Sequence, residues 1–148
     1  MFEKDGKRKK LYVMNLQEEG KIMKIALIAH DGKKADMVAF VMKRLDFFND
    51  PKVAIVATGT TGKHILHAGI SKIQQVNSGP MGGDAEIGSM VARGEITAVI
   101  FFRDPLDKHP HEPDIQMLMR VCDVHCVPLA TNYDAAHIFI KHFKDKTK

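Results

Sequence analysis

The sequence predicts an α/β domain of three layers, in which helices cover both faces of a five-stranded, mostly parallel sheet of Rossmann-like type. Unbroken apolar runs recur along the chain, and such runs are typical of strands buried on both faces of a parallel sheet. Each run is followed by apolar residues at helical spacing. Strands that alternate with helices favour parallel pairing with right-handed crossovers.

Five strand-then-helix units follow one another in this pattern. The strands are predicted at residues 25–29, 53–57, 72–76, 98–102 and 127–130. The helices are predicted to cover residues 37–48, to reach residue 69 after the second strand, and then to cover 84–94, 115–122 and 133–143. Because no clean period precedes Lys24, residues 1–23 are predicted as an extension of uncertain order and residues 24–148 as one domain.

Composition narrows the class of protein. The formal net charge is +4, but the basic excess lies at the two ends, since residues 1–24 carry seven Lys or Arg against four Asp or Glu, and residues 141–148 carry four against one. No basic stripe interleaved with aromatics crosses the body, so a nucleic-acid partner is not predicted. No apolar run approaches the ~20 residues of a membrane span, and no signal peptide is recognisable. A cytoplasmic protein without a membrane partner is expected.

The two cysteines do not predict a disulfide framework or a zinc site. Cys122 and Cys126 stand four residues apart, with no second pair in the chain. We interpret them as buried or half-buried free thiols.

Four polar turns follow predicted strands, at the ends where a ligand would bind. They begin at His30, Thr58, Ser78 and Asp104. The carboxyl ends of parallel strands share one edge of the sheet, and ligands of open α/β sheets bind in the crevice outside that edge. The sequence therefore predicts that four distant segments converge on one pocket.

Two of these turns suit a phosphate group. The turn from Ser78 to Asp84 holds three glycines and ends on a carboxylate in the first turn of a predicted helix, so it fits either a phosphate-binding loop with a base attached or a plain turn with Asp84 as the helix cap. The turn from Thr58 to Gly62 offers three hydroxyls at another helix start, with capping as its simpler interpretation. Neither a P-loop spacing nor a dinucleotide fingerprint is present. Lys33 and Lys34, just after the first strand, could supply the positive charge that a phosphorylated ligand needs, with a solvated surface position as their simpler interpretation.

Six of the eight histidines fall into two groups. His64, His67, His137 and His142 lie on predicted helices and are expected to face solvent. His30 and His111 stand at or beyond strand ends, each near an acid, and we favour acid–base use for them. A metal site is the alternative that remains open, and its ligands would come from a set of four. That set is His30, His109, His111 and Asp114.

Six blocks of sequence resemble the methylglyoxal synthase family, in order, over about residues 24–140. They are residues 29–31 (AHD), 57–62 (ATGTTG), 78–84 (SGPMGGD), 102–106 (FRDPL), 110–114 (PHEPD) and 128–132 (PLATN). The resemblance implies a methylglyoxal synthase-like fold and the conversion of dihydroxyacetone phosphate to methylglyoxal and inorganic phosphate, with neither metal nor organic cofactor. It also implies a homohexamer.

The resemblance also implies roles for site residues. Asp84 would be the catalytic base and His111 the electrophile that donates to the carbonyl oxygen. His30, Asp104 and Asp114 would surround the reacting carbons, and the substrate-binding set would include His30 and His111. The remaining residues of that set would hold the phosphate: Lys34, Thr58, Thr60, Thr61, Ser78 and Gly79. Free phosphate is the expected inhibitor of a site that releases it.

A regulatory module that binds a phosphate-like ligand without transforming it is the competing prediction. The same fold type serves as the allosteric domain of carbamoyl phosphate synthetase, so fold alone does not decide. A binding module needs hydroxyls and glycines but has no use for a set of acids and imidazoles. The presence of Asp84, His30, His111 and Asp114 together favours the enzyme.

Overall fold

A computed structural model describes residues 22–147 of the chain. Five strands form one sheet: β1 (Met23–Ala29), β2 (Val53–Thr58), β3 (Gln74–Val76), β4 (Ala98–Phe102) and β5 (Leu129–Ala130). Their order is β3-β2-β1-β4-β5, and every neighbouring pair is parallel. The predicted fold class is confirmed, and all five carboxyl ends share one edge.

The described residues also form six α-helices. They are α1 (Lys34–Met42), α2 (Leu45–Phe48), α3 (Gly59–His67), α4 (Gly83–Ala92), α5 (Glu112–Val124) and α6 (Tyr133–Thr147). Short 3-10 turns at Asp31–Lys33 and Gly79–Met81 precede α1 and α4. Within residues 22–147 no helix has both the length and the apolar character that a membrane crossing needs.

The sheet separates two apolar cores. Alternate residues of β1 point to opposite faces, so that Ile25 and Leu27 belong to one core whereas Ala26 and Ile28 belong to the other. The first core packs against α1, α2, α3 and α6, and the second against α4 and α5. Burial on both faces explains why the central strands read as continuous apolar runs.

One predicted helix is two helices in the structure. The expected helix 37–48 is interrupted at Lys43 and Arg44, where the backbone of Arg44 turns to φ −132°. The guanidinium of Arg44 donates to the carbonyl of Phe40 over 2.9 Å and lies over the Phe40 ring at 4.1 Å. A last-turn carbonyl of α1 is thereby satisfied by a side chain, which lets the helix end there.

Two strands are shorter than predicted. Regular pairing of β5 begins only at Leu129, because Pro128 has no N–H to donate. The strand β3 begins at Gln74, two residues later than predicted.

The structure confirms some of the predictions for the cysteines and histidines and contradicts one. Cys122 is buried as predicted, but Cys126 is exposed, because it lies in the turn that follows α5. The four helical histidines are exposed, as predicted. The predicted extension, residues 1–23, lies outside the described residues except for its last two, and β1 begins at Met23.

Candidate active site

The functional side chains gather above the second core, at the carboxyl edge of the sheet. Residues 26 and 28 of β1 face that core, so the alternation along the strand carries residue 30 to the same side. On β2 the same alternation runs from Val56 to Thr58. The helices on this side, α4 and α5, begin at the two segments that hold Asp84 and His111. The alternation of side chains along β1 and β2 and the start points of α4 and α5 therefore bring His30, Thr58, Asp84 and His111 to the same side of the sheet edge.

Asp84 is a buried carboxylate with no hydrogen bond. Its exposed fraction is 0%, and neither oxygen has a hydrogen-bond partner. The nearest ring nitrogen is that of His111, whose Nε2 is 3.4 Å from Asp84 Oδ2. Burial raises the pKa of Asp84, Asp114 raises it further, and His111 and His109 oppose the shift. A buried carboxylate left without partners costs stability, and such groups are characteristic of catalytic sites.

The capping interpretation of Asp84 is not what the structure has. The residue that caps α4 is Gly82, at φ +97°, and no side chain bonds to the helix start. Asp84 lies in the first turn of α4, as predicted, but its carboxylate faces His111 instead of the backbone.

The glycine-rich turn holds its shape through backbone bonds and close approach. The Ser78 carbonyl accepts from the N–H groups of Met81 and Gly83, over 3.0 and 2.9 Å. A Cβ on Gly83 would lie 1.9 Å from the Asn77 carbonyl oxygen, so the chain can pass there only as glycine.

Gly79 forms one wall beside the acid–base pair. A Cβ at this position would lie 2.9 Å from His111 Nε2 and 3.4 Å from Asp84 Oδ1. The missing side chain leaves the space next to both groups open. Gly79 therefore lies directly beside the acid–imidazole pair.

His30 is held as a neutral imidazole with a defined tautomer. The backbone N–H of Asp104 donates to its Nδ1 over 2.8 Å, so the ring proton must sit on Nε2. That Nε2 is buried and has no partner. Burial lowers the pKa of His30 to about 4, and the charges of His109, His111 and Arg103 add to this, against Glu112. The His30 Nε2–H is a donor available for a ligand.

His109 is a member of the cluster that the predicted catalytic set missed. Its ring stacks on that of His30, with centroids 3.6 Å apart and planes 22° apart. The His109 and His111 rings are 5.7 Å apart, and those of His30 and His111 are 5.8 Å apart. Sequence reasoning weighed His109 only as a metal ligand, because a proline-rich loop has no period that tells which side chains turn inward.

The threonine turn and Lys34 provide groups suited to an anion. Thr58 and Thr61 are buried at the start of α3, and the Thr58 hydroxyl donates to Thr61 Oγ1 over 3.3 Å, whereas Thr60 is exposed. Hydroxyls and free N–H groups at a helix N-terminus favour negative charge. The side chain of Lys34 is mostly buried, and its ammonium pairs with Asp31, whose side chain is 96% exposed.

The remaining predicted residues are placed less directly. Asp114 lies near enough to raise the pKa of Asp84. The carboxylate of Asp104 accepts from the Leu106 N–H over 3.1 Å and so braces its own loop. The backbone N–H of Asp104 orients His30. Among the described residues no group of three or more His, Cys, Asp or Glu is arranged to hold a metal ion.

A parallel α/β fold with a buried acid–imidazole pair at its carboxyl edge is typical of an enzyme. A family model described as an MGS-like domain matches residues 36–131. A methylglyoxal synthase of Carboxydothermus hydrogenoformans is 55% identical over 120 residues, which cover 81% of this chain and 98% of that protein. The chain belongs to the methylglyoxal synthase family, and it is an enzyme, a carbon–oxygen lyase.

Further relatives agree with this assignment. A methylglyoxal synthase of Moorella thermoacetica is 53% identical over 123 residues, covering 83% of this chain and 94% of that protein. Among solved structures, a methylglyoxal synthase from Elizabethkingia anophelis NUHP1 superposes with a TM-score of 0.74 at 40% identity, over 80% of this chain and 77% of that one. The resemblance noted in the sequence is confirmed, and the enzyme is favoured over the binding module.

Proposed function

We propose that the chain converts dihydroxyacetone phosphate to methylglyoxal and inorganic phosphate, with Asp84 as general base and His111 as electrophile. The observation that supports this most is the buried, unbonded carboxylate of Asp84 beside the His111 ring nitrogen. The raised pKa of Asp84 makes its carboxylate a stronger base than an exposed aspartate.

The reaction begins with removal of a proton from the hydroxymethyl carbon. Asp84 takes that proton, the bonding pair forms a carbon–carbon double bond, and the carbonyl oxygen becomes an oxyanion that His111 stabilises by donating from Nε2. The neutral Nε2–H of His30 is a second donor for the same negative charge. A carboxylate base paired with a neutral imidazole is the arrangement described for triosephosphate isomerase, which handles the same substrate.

Loss of phosphate completes the conversion without a redox step. The hydroxyl of the enediolate gives its proton to the departing phosphate and becomes the aldehyde, the double bond shifts to the phosphate-bearing carbon, and the carbon–oxygen bond breaks with its electron pair leaving on phosphate. The resulting enolate takes a proton from solvent on its terminal carbon to give the methyl ketone, and Asp84 returns its proton to solvent. This elimination needs the breaking carbon–oxygen bond to lie perpendicular to the enediolate plane. The groups that hold the phosphate would fix that orientation and so decide between elimination and isomerisation. They are Lys34 and the turns that begin at Thr58 and Ser78.

The proposal is tested by measuring both turnover and ligand binding in a variant of Asp84. Asp84→Asn should lower the rate of methylglyoxal formation by about 10² to 10⁴-fold, since a positioned base contributes on that order. It should still bind 2-phosphoglycolate in a calorimetric titration, and it should be at least as heat-stable as the parent, because it removes a buried charge. Asp123→Asn, at an exposed site on α5, is the matched control and should leave the rate unchanged. A near-normal rate in Asp84→Asn would exclude Asp84 as the base.

Three further features belong to the same proposal. Free phosphate should compete with substrate for the Lys34 and threonine groups. A homo-oligomer, with six copies as the resemblance implies, is testable by light scattering on the purified protein. We also propose a cytoplasmic location, where the phosphorylated substrate would be found. Product formation in the presence of a chelator would distinguish this enzyme from a phosphate-binding module, which would bind the substrate unchanged.

A further inference from the structure

The histidine outside the predicted catalytic set makes the closest ring contact in the site. The planes of His109 and His30 are nearly parallel at 3.6 Å, whereas the edge of Phe101 meets His30 at 5.0 Å. His109 Nε2 is buried and has no hydrogen-bond partner. An exposed loop that served only to connect β4 to α5 would gain nothing from burying a polar ring in this way.

The orientation of His30 depends on one hydrogen bond and its ring contacts. The hydrogen bond from the Asp104 N–H to Nδ1 fixes one atom of the ring, whereas Phe101 and His111 meet the ring edge-on at 5.0 and 5.8 Å. A flat ring packed against the face of His30 fixes the plane of the imidazole. The Nε2–H that Asp104 leaves for a ligand is then directed by His109.

We propose that His109 is a positioning residue for His30, and that its stacked ring fixes the plane in which His30 presents its Nε2–H to the substrate. This inference rests on the proposed function, in which His30 donates to the reacting molecule. It concerns a residue that acts through another one. The His109 ring itself does not need to touch the substrate.

Stacking also keeps His30 neutral. Two imidazolium rings cannot be stacked at this distance without strong repulsion, so His109 opposes protonation of His30 both by covering it and by its charge. The other charged groups that face His30 are His111 and Arg103, which act in the same direction, and Glu112, which acts against them. His109 itself faces Asp31 and Asp84 as well as the two imidazoles.

Two substitutions separate the stacked surface from the imidazole chemistry. His109→Ala removes the surface, and His109→Phe keeps a flat ring without a charge or an N–H. His109→Ala should lower kcat about 10 to 100-fold with little change in KM, because a small misplacement of a catalytic group has effects of that size. His109→Phe should stay within about threefold of the parent. His67→Ala, at an exposed site on α3, is the control and should match the parent.

An imidazole titration followed by NMR gives a readout that needs no turnover. In ligand-free protein the midpoint of His30 should move from about 4 toward 6.5 in His109→Ala, and the acid limb of kcat/KM should move in the same direction. If the parent makes no methylglyoxal, the proposed function fails while this titration still tests the contact.

Three results would overturn the inference. In the first, His109→Ala keeps both the parent kcat and the parent His30 midpoint. In the second, His109→Phe loses as much activity as His109→Ala, which would place the His109 nitrogen in the chemistry. If His109→Ala does not fold, His109→Gln replaces it, and a parent-like kcat with an unmoved His30 midpoint in that variant counts against the inference equally.

Discussion

Replacing His30 by asparagine should make the free energy of unfolding less dependent on pH in the acid range. The amide oxygen of His30→Asn can still accept from the Asp104 N–H, but the side chain no longer titrates. In the parent, the pKa of His30 is lowered to about 4, so the folded protein binds this proton less well than the unfolded chain does. The stability linked to His30 is therefore complete above its ordinary pKa of 6.5 and is lost as the pH falls through 6.5 toward 4.

The size of the effect follows from the shift. A change from 6.5 to about 4 corresponds to about 3 kcal/mol of unfolding free energy once the pH is below both values. At about pH 5 the loss attributable to His30 is about 2 kcal/mol. Asp84 acts in the opposite direction, because its raised pKa adds stability as the pH falls. Since both proteins contain Asp84, its contribution cancels when the variant is compared with the parent.

Urea unfolding followed by circular dichroism is the assay, at about pH 7.5 and about pH 5 and at one protein concentration. The parent should lose about 2 kcal/mol more than His30→Asn between these two conditions. Equal losses in the two proteins would refute the reasoning, because they would mean that His30 is protonated in the folded state as easily as in the unfolded chain.

Two further predictions concern the backbone. Gly83→Ala should cost at least about 3 kcal/mol of unfolding free energy and abolish turnover, because its Cβ would overlap the Asn77 carbonyl. Gly94→Ala, at φ +76° with open space around it, should cost only about 1 kcal/mol. Urea unfolding midpoints compare the two variants, and equal costs would contradict the overlap. Cys126→Gly should raise the unfolding free energy by about 0.5 to 1 kcal/mol, because Cys126 has φ +55°, and a gain as large in Cys126→Ala would point to loss of the thiol instead.

The fold was predictable because the physical signal is local. Val53 to Ala57 and Ala98 to Phe102 are apolar without interruption, and a parallel sheet is the usual place where both sides of a strand are covered. The break between α1 and α2 was not predictable, because it depends on Arg44 returning to the carbonyl of Phe40, a contact that no periodicity records.

The site was predictable where residue type and position at a strand end coincided. Asp84, His111 and His30 stand directly at helix starts or strand ends, so the topology alone brought them to one edge. His109 could not be found this way, because its inward turn depends on the path of the proline-rich loop. The sequence also could not reveal that Asp104 acts on His30 through its backbone N–H, since any residue but proline carries one.

The burial of β1 on both faces determines the position of His30 as well as the packing of the two cores. Even-numbered residues of this strand look toward α4 and α5, and odd-numbered ones look toward the opposite layer. An insertion or deletion of one residue between Met23 and Ala29 would therefore turn His30 to the other side of the sheet, away from Asp84. It would also exchange the apolar side chains of β1 between the two cores. The register of β1 therefore determines both which apolar side chains fill each core and on which side of the sheet His30 lies, so that substitutions which preserve the two cores also preserve the position of His30.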